Sequence, residues 1–382
     1  MCGSGMSAAF VREVLPVIVG PFPEPVHGAS MIDAGLAEKM RARGIDVQCL
    51  NISASKWRRG VMRNLVRTGR VMRAILAIVF QARLRGARYL MSVDGGPGIL
   101  YNVILGFFIK AVMRRPLILY HHSSSYVYRS SLLIRCLQKV CGSETRHVMC
   151  SAEMFRQYSA LYPAKGSPLI ISNAAWVQPV VDAAKRYENE TLRLGFLSNL
   201  GEGKGFQTAL ETLREIRKRG IPVQLLAAGL LPHPSAEREV AEAKKEFGED
   251  FRYLGRVAGE EKAGFLLSLD YLLFPSLYRH ETQSLVVPEA LSAGVPVIAY
   301  AHRFVGELLQ SGGLAVPTAR PFAQMAVDWI AEAVGNPALA RTRRQEALRQ
   351  FEEIYADAEQ QIAELIAWLA PSHSSGGSQR AA

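Results

Sequence analysis

The feature that most limits what this chain can fold into is an alternation of short, apolar, β-rich runs with longer helix-like stretches, carried through twice. Residues 15–19 read as a buried strand. A loop rich in proline and glycine follows over 20–28, then a helix-like stretch through Arg43, stopped by Gly44, and a second β-rich run over 46–52. Strand, glycine-bearing loop, helix and strand in that order make a right-handed βαβ unit. The alternation returns at residues 89–93, 117–120, 148–151 and 169–171. Apolar strands separated by helices mark a parallel, doubly wound sheet, because helices on both faces bury every strand position.

Over residues 183–191 the apolar pattern lapses into charged and polar residues, which marks a linker. A second series opens at 192–197, passes through a helix over 205–219 and a strand over 223–228, and continues at 251–254, 271–274 and 295–300. A long helix over 352–369 and a polar end over 371–382 complete the chain. The total of 382 residues exceeds one ordinary core, since a domain holds roughly 100–200 residues. The expectation is an α/β protein of two Rossmann-like, doubly wound domains facing a cleft. Residues 1–185 and 191–345 form the two domains, 346–370 a helix packing back towards the first, and 371–382 a flexible tail.

Apolar residues at 49% and charged residues at 21% exclude a disordered or low-complexity chain. No apolar run reaches the roughly 18 residues of a spanning helix, so a soluble or peripheral protein is expected. The five cysteines (Cys2, Cys49, Cys136, Cys141, Cys150) lack paired spacing and read as reduced thiols. With no basic segment ahead of a long apolar run at the N-terminus, the expected location is cytoplasmic. Charge is unevenly placed: residues 1–185 hold 24 Lys and Arg against 9 Asp and Glu, a net +15, while the remainder holds 21 against 25, a net −4. No acid occurs between Asp46 and Asp94. The first half therefore suits an anionic partner.

Residues 201–205 (GEGKG) follow a strand but fit neither dinucleotide nor P-loop spacing. A glycine-rich turn with a lysine leading into a helix still attracts phosphate, because free amides, the positive helix end and the ammonium all favour an anion. An exposed lysine on a tight turn would look the same. Further on, Glu281 and Glu289 enclose seven residues after the strand that ends in Phe274-Pro275-Ser276. If 282–284 is a loop entering a helix near Val287, Glu281 lies in the cleft and Glu289 in the first helical turn. There Glu289 can accept hydrogen bonds from a pair of sugar hydroxyls, and the loop between, Thr282, Gln283, Ser284 and Leu285, offers amides to phosphate oxygens. In isolation, two such glutamates more often mean solvated surface.

The context narrows this. Residues 270–276, then 281–289, then Ala290 through Ala299 (ALSAGVPVIA) resemble the signature of family 4 glycosyltransferases with the GT-B fold. Residues 195–206 are similar to that family's donor-phosphate loop, and Gly229 stands where its next strand ends in glycine. In the first half the likeness is looser and rests on His27-Gly28, the doublet His121-His122, Ser151 and Asn173.

The resemblance implies retaining transfer of a sugar from a nucleotide-diphosphate donor to a glycan or lipid-linked acceptor, without a metal or other cofactor. It implies that Lys204 neutralises the donor diphosphate from a loop that includes Asn199 and Gly203. Glu289 would hold the ribose hydroxyls, Glu281 would contact the hexose, and His122, or else His121, would reach the transferred sugar from the other domain. Gly28 would let its amide approach the substrate closely. Two departures stand out. Asn199 occupies a position where the family usually has an arginine, for which Arg256 or Arg279 is the candidate replacement, and Thr282-Gln283-Ser284 replaces a glycine-bearing loop. A metal site would require carboxylates or histidines near residues 195–206, and the sequence has no such cluster there.

An epimerase of the same fold and a catalytically silent binding protein are the competing readings. Nucleic acid is not an expected partner, since no basic motif interleaved with aromatics appears. On a helical wheel Lys56, Arg59, Arg63, Arg67 and Arg70 form one stripe and Val61, Leu65, Met72, Ile75, Leu76 and Val79 gather opposite. The expectation is that residues 56–88 dock the enzyme peripherally on the anionic inner face of a membrane through that basic stripe.

Overall fold

A computed structural model describes residues 14–24, 28–53, 61–84, 86–180, 191–201, 203–279 and 281–371. The first sheet contains β1 (Leu15–Gly20), β2 (Gln48–Asn51), β3 (Ala87–Val93), β4 (Leu117–His121), β5 (Arg146–Met149) and β6 (Leu169–Ile170), in the order β2-β1-β3-β4-β5-β6. The second contains β7 (Leu192–Leu197), β8 (Val223–Ala228), β9 (Phe251–Tyr253), β10 (Tyr271–Phe274), β11 (Val297–Tyr300) and β12 (Gly313–Val316), in the order β12-β11-β10-β7-β8-β9. All pairings are parallel. The continuous apolar runs become strands buried along their whole length, as in LILYH of β4 and YLLF of β10. The fold class read from the alternation is therefore the observed one. β12 was not anticipated, because its four residues GLAV follow a short helical turn with no run long enough to announce a strand.

Strand order reverses direction between β1 and β3 in the first sheet and between β7 and β10 in the second. Ligands of open parallel sheets bind outside the carboxyl ends of the strands at such points.

The last helix runs over Pro337–Leu369, starting well before the expected residue 352, with the Asn336 side chain capping it by accepting from Leu339 N–H at 3.1 Å. Its early part was hidden by charged residues, since only one narrow edge is apolar. Ala347 and Phe351 pack against the second sheet, beside Ala290, Leu291 and Val297. Ile362, Leu365, Ile366 and Leu369 pack into the first domain with Ile18, Leu36, Met40 and Leu90. The expected linker at 183–190 and nearly all of the tail lie outside the described residues.

The helix Val61–Leu84 corrects the expected stripe. Arg67 is ion-paired with Asp94 and lies 4.9 Å from the Tyr101 ring, and Arg70 donates to the Ser53 carbonyl at 2.6 Å, so both arginines face the protein. Val61, Leu65, Met72 and Leu76, together with Met62 and Phe80, are more than half exposed. The core contact is made by Val71, Ala74, Ile75 and Ile78. At about 100° per residue that arc leaves 65, 72, 76 and 80 pointing away from it. Lys56 and Arg59 lie outside the described residues.

Candidate active site

A cleft of about 780 Å³ opens between the carboxyl edges of the two sheets. On its second-domain side the turn after β7 ends at Gly205, whose φ is +84°; a Cβ there would stand 2.2 Å from the Pro275 carbonyl oxygen. Only glycine lets this turn lie against the segment that follows β10. The close approach delivers Lys204 Nζ to 2.7 Å from Glu281 Oε2 and 4.4 Å from the centre of the Tyr278 ring. Ser276 Oγ donates to the same carboxylate oxygen at 3.1 Å. Glu281 is buried despite its charge.

Glu289 lies in the first turn of the helix Val286–Ser292, as its spacing predicts, and Lys262 Nζ stands 2.7 Å from its Oε1. Burial pushes the Glu289 carboxyl above the usual carboxylate range, and the Lys262 ammonium opposes that rise. Two Lys–Glu pairs thus face one cleft. A diphosphate entering it meets cations already held in place, and a diol meets carboxylates.

Thr282, Ser284, Leu285, Asn199 and Arg256 all line the cleft. Asn199 Oδ1 also accepts from Leu230 N–H at 3.2 Å, which ties the loop after β7 to the end of β8. One expected donor contact needs correction. Gly203 does not line the cleft; its carbonyl accepts from Leu277 N–H at 2.8 Å and shapes the turn from behind. Gln283 does reach the cleft wall with the rest of its loop, and its side chain crosses the domain boundary, where Oε1 accepts from Asn173 N–H at 3.1 Å and Ser172 O–H at 3.2 Å.

From the first domain, Gly28 begins the helix Gly28–Arg41 at the cleft edge. Both histidines of the doublet line the cleft, and they differ in burial and partners. His121 packs inward, with Nδ1 2.9 Å from Tyr126 Oη and Nε2 2.9 Å from His147 Nδ1. Burial, reinforced by His147, holds the His121 imidazole well below its usual range, and burial brings His147 to about 4. His122 sits at the cleft, its Nε2 3.1 Å from Ser92 Oγ and 3.4 Å from Asp33 Oδ1.

Further contacts fix the Glu281 loop from the first domain. Ser124 Oγ donates to the Glu281 carbonyl at 2.7 Å, and Asn173 Nδ2 to the Gln283 carbonyl at 2.5 Å. The Arg303 guanidinium lies 3.6 Å from the Tyr128 ring centre, and Phe304 is buried within the first domain's core. Sequence reasoning missed Lys262, Ser92 and Asp33. Only Asp33 left a signal, as an acid on the buried face of its helix among Ile32, Leu36, Ala37 and Met40. Among the described residues no group of three or more His, Cys, Asp or Glu is arranged to hold a metal ion.

The two facing parallel sheets with their shared cleft define the GT-B fold. Residues 191–332, the second sheet and its helices, match the family model described as Glycosyl transferases group 1. The chain is 30% identical over 125 residues to a 2-deoxystreptamine glucosyltransferase of Streptomyces kanamyceticus, covering 33% of this chain and 31% of that protein. It is 24% identical over 228 residues to an alpha-monoglucosyldiacylglycerol synthase of Streptococcus pneumoniae, covering 54% of this chain and 51% of that protein. The matches thus span a third to about half of those relatives. Anabaena HepE in complex with UDP superposes with a TM-score of 0.66 at 14% identity, over 93% of this chain and 100% of that one.

Proposed function

We propose that this protein is a retaining, metal-independent glycosyltransferase that moves a sugar from a nucleotide-diphosphate donor to a hydroxyl of a lipid-linked or polysaccharide acceptor. The carrying observation is the placement of Lys204, Glu281 and Glu289 on one wall of the cleft, at the switch point between β7 and β10. Lys204 and the neighbouring amides stabilise charge developing on the leaving diphosphate. Glu289 holds the ribose diol, Glu281 the hexose, and His122 reaches the sugar from the opposite wall. The match over residues 191–332 and the UDP held by a protein of the same fold support the nucleotide-sugar donor. The test is transfer across a panel of nucleotide sugars, with the product anomer read by NMR and the rate compared with and without excess EDTA. Retained configuration and an EDTA-insensitive rate are expected. Inversion, or activity that vanishes with chelator and returns with magnesium, overturns the reading.

The same reading places the enzyme on the cytoplasmic face of a membrane. Its support is the exposed apolar stripe of the helix Val61–Leu84, which has the exposed Arg73 beside it and is free of acids, with Arg63 also exposed in the first turn of the helix. No described helix is long and apolar enough to cross a membrane. Docking is therefore by insertion of one helix face, with nearby arginines meeting anionic headgroups.

A further inference from the structure

Behind His122 the cleft wall contains a buried polar chain that the proposed reaction does not by itself require. Asp33 is fully buried on the first helix, and both its carboxylate oxygens lie 2.7 Å from Ser92 Oγ on β3. Ser92 Oγ in turn lies 3.1 Å from His122 Nε2. The end of β1 is shaped around this carboxylate: a Cβ on Gly20 would stand 2.0 Å from Asp33 Oδ2 and 2.8 Å from Ser92 Oγ.

Proton accounting fixes the direction of the chain. A carboxylate only accepts, and a serine hydroxyl has one proton to give. Once Ser92 donates to Asp33, it can only accept from His122, so Nε2 must carry the ring proton. We infer that Asp33, acting through Ser92, is a positioning residue that locks His122 in its Nε2–H tautomer and leaves Nδ1 as an acceptor at the cleft. The ligand group that Nδ1 meets is then a hydroxyl, which can donate, and not a carboxylate or a carbonyl oxygen. At that one position the site favours a sugar that presents a hydroxyl over one that presents a carboxylate. This selectivity rests on the proposed sugar-transfer reading; the tautomer does not.

The test reads the ring directly. Long-range proton–nitrogen NMR on the full-length 15N-labelled protein at pH 8, without substrate, reports which His122 nitrogen is protonated, with His122→Gln assigning the signals. A protonated Nε2 and a bare Nδ1 are expected, with mixed tautomers in Asp33→Asn, which removes both the relay through Ser92 and the direct contact of Asp33 Oδ1 with Nε2 at 3.4 Å. A protonated Nδ1 in the wild type overturns the inference, as does the wild-type pattern persisting in an Asp33→Asn variant that folds. UDP, UDP-glucose and methyl glucoside then locate the hydroxyl. A shift at Nδ1 with UDP-glucose but not UDP puts it on the transferred sugar, and a shift with methyl glucoside alone puts it on the acceptor. UDP-glucose binding that leaves Nδ1 unmoved, with no response to methyl glucoside, overturns the hydroxyl assignment. Absence of any UDP-glucose binding counts against the glycosyltransferase reading and leaves the tautomer result standing.

Discussion

Lys204 Nζ stands 2.7 Å from Glu281 Oε2, so the cation proposed for the leaving diphosphate and the carboxylate proposed for the hexose form one ion pair on the cleft wall. Both are held by loops, so neither is expected to be needed for folding. Lys204→Ala and Glu281→Gln should each remain folded, Lys204→Ala with a lower Tm because it leaves the buried Glu281 charge unpaired, and each should lower kcat/KM on the order of a hundredfold, as loss of one transition-state contact does. Near-normal turnover in either variant removes that residue from the mechanism.

The second pair predicts a pH effect. In its proposed role Glu289 accepts both ribose hydroxyls as a carboxylate, and burial already raises its pKa against the pull of Lys262. Donor binding should weaken as the pH falls towards that raised value. Lys262→Met removes the opposing charge, so the rise in donor KM should begin at a higher pH while kcat at saturating donor changes little. An unchanged KM–pH profile would show that Lys262 does not act through Glu289.

For the membrane, the apolar stripe and not the basic one should decide binding. Changing Leu65, Met72, Leu76 and Phe80 together to serine should reduce sedimentation with anionic vesicles about tenfold or more, since each large side chain buried contributes roughly 1.5–3 kcal/mol. Arg67→Gln with Arg70→Gln should leave it nearly unchanged, because Asp94 and Ser53 already engage these arginines. The reverse ranking of the two variants would restore the basic stripe as the docking face.

Acid should destabilise the fold through its buried histidines. His147 is lowered from 6.5 to about 4, so the unfolded chain takes up a proton that the folded one refuses. Stability is then intact above about pH 6.5 and is lost as the pH falls towards 4, by on the order of 3 kcal/mol. Thermal melts should show this slope, and His147→Gln should flatten it. Equal slopes would assign the acid sensitivity elsewhere.

Apart from β12, both sheets were legible because strands covered on both faces carry uninterrupted apolar runs, whereas the Glu281–Glu289 pair stood out only through its resemblance to the family 4 signature, since the spacing alone reads as solvated surface. The contact of Lys262 with Glu289 was not legible. It arises where the helix Gly259–Leu267 meets the helix Val286–Ser292, and in sequence Lys262 reads as one more charge after Glu260 and Glu261. The facing of Val61–Leu84 failed for a related reason. A wheel separates basic from apolar arcs, but which arc meets the core depended on Asp94, Tyr101 and Ser53, which belong to other elements. Register in the His121-His122 doublet likewise waited on which imidazole the Tyr126–His147 layer would enclose.

The helix Pro337–Leu369 begins against one sheet and ends buried against the other, and Phe304 leaves the second half to fill the core of the first. The two halves are therefore not interchangeable modules. A chimera cut at the linker alone would strand Ile362, Leu365, Ile366 and Leu369 against a foreign surface. Any recombination that exchanges the first half has to carry the end of this helix and the residue at 304 with it.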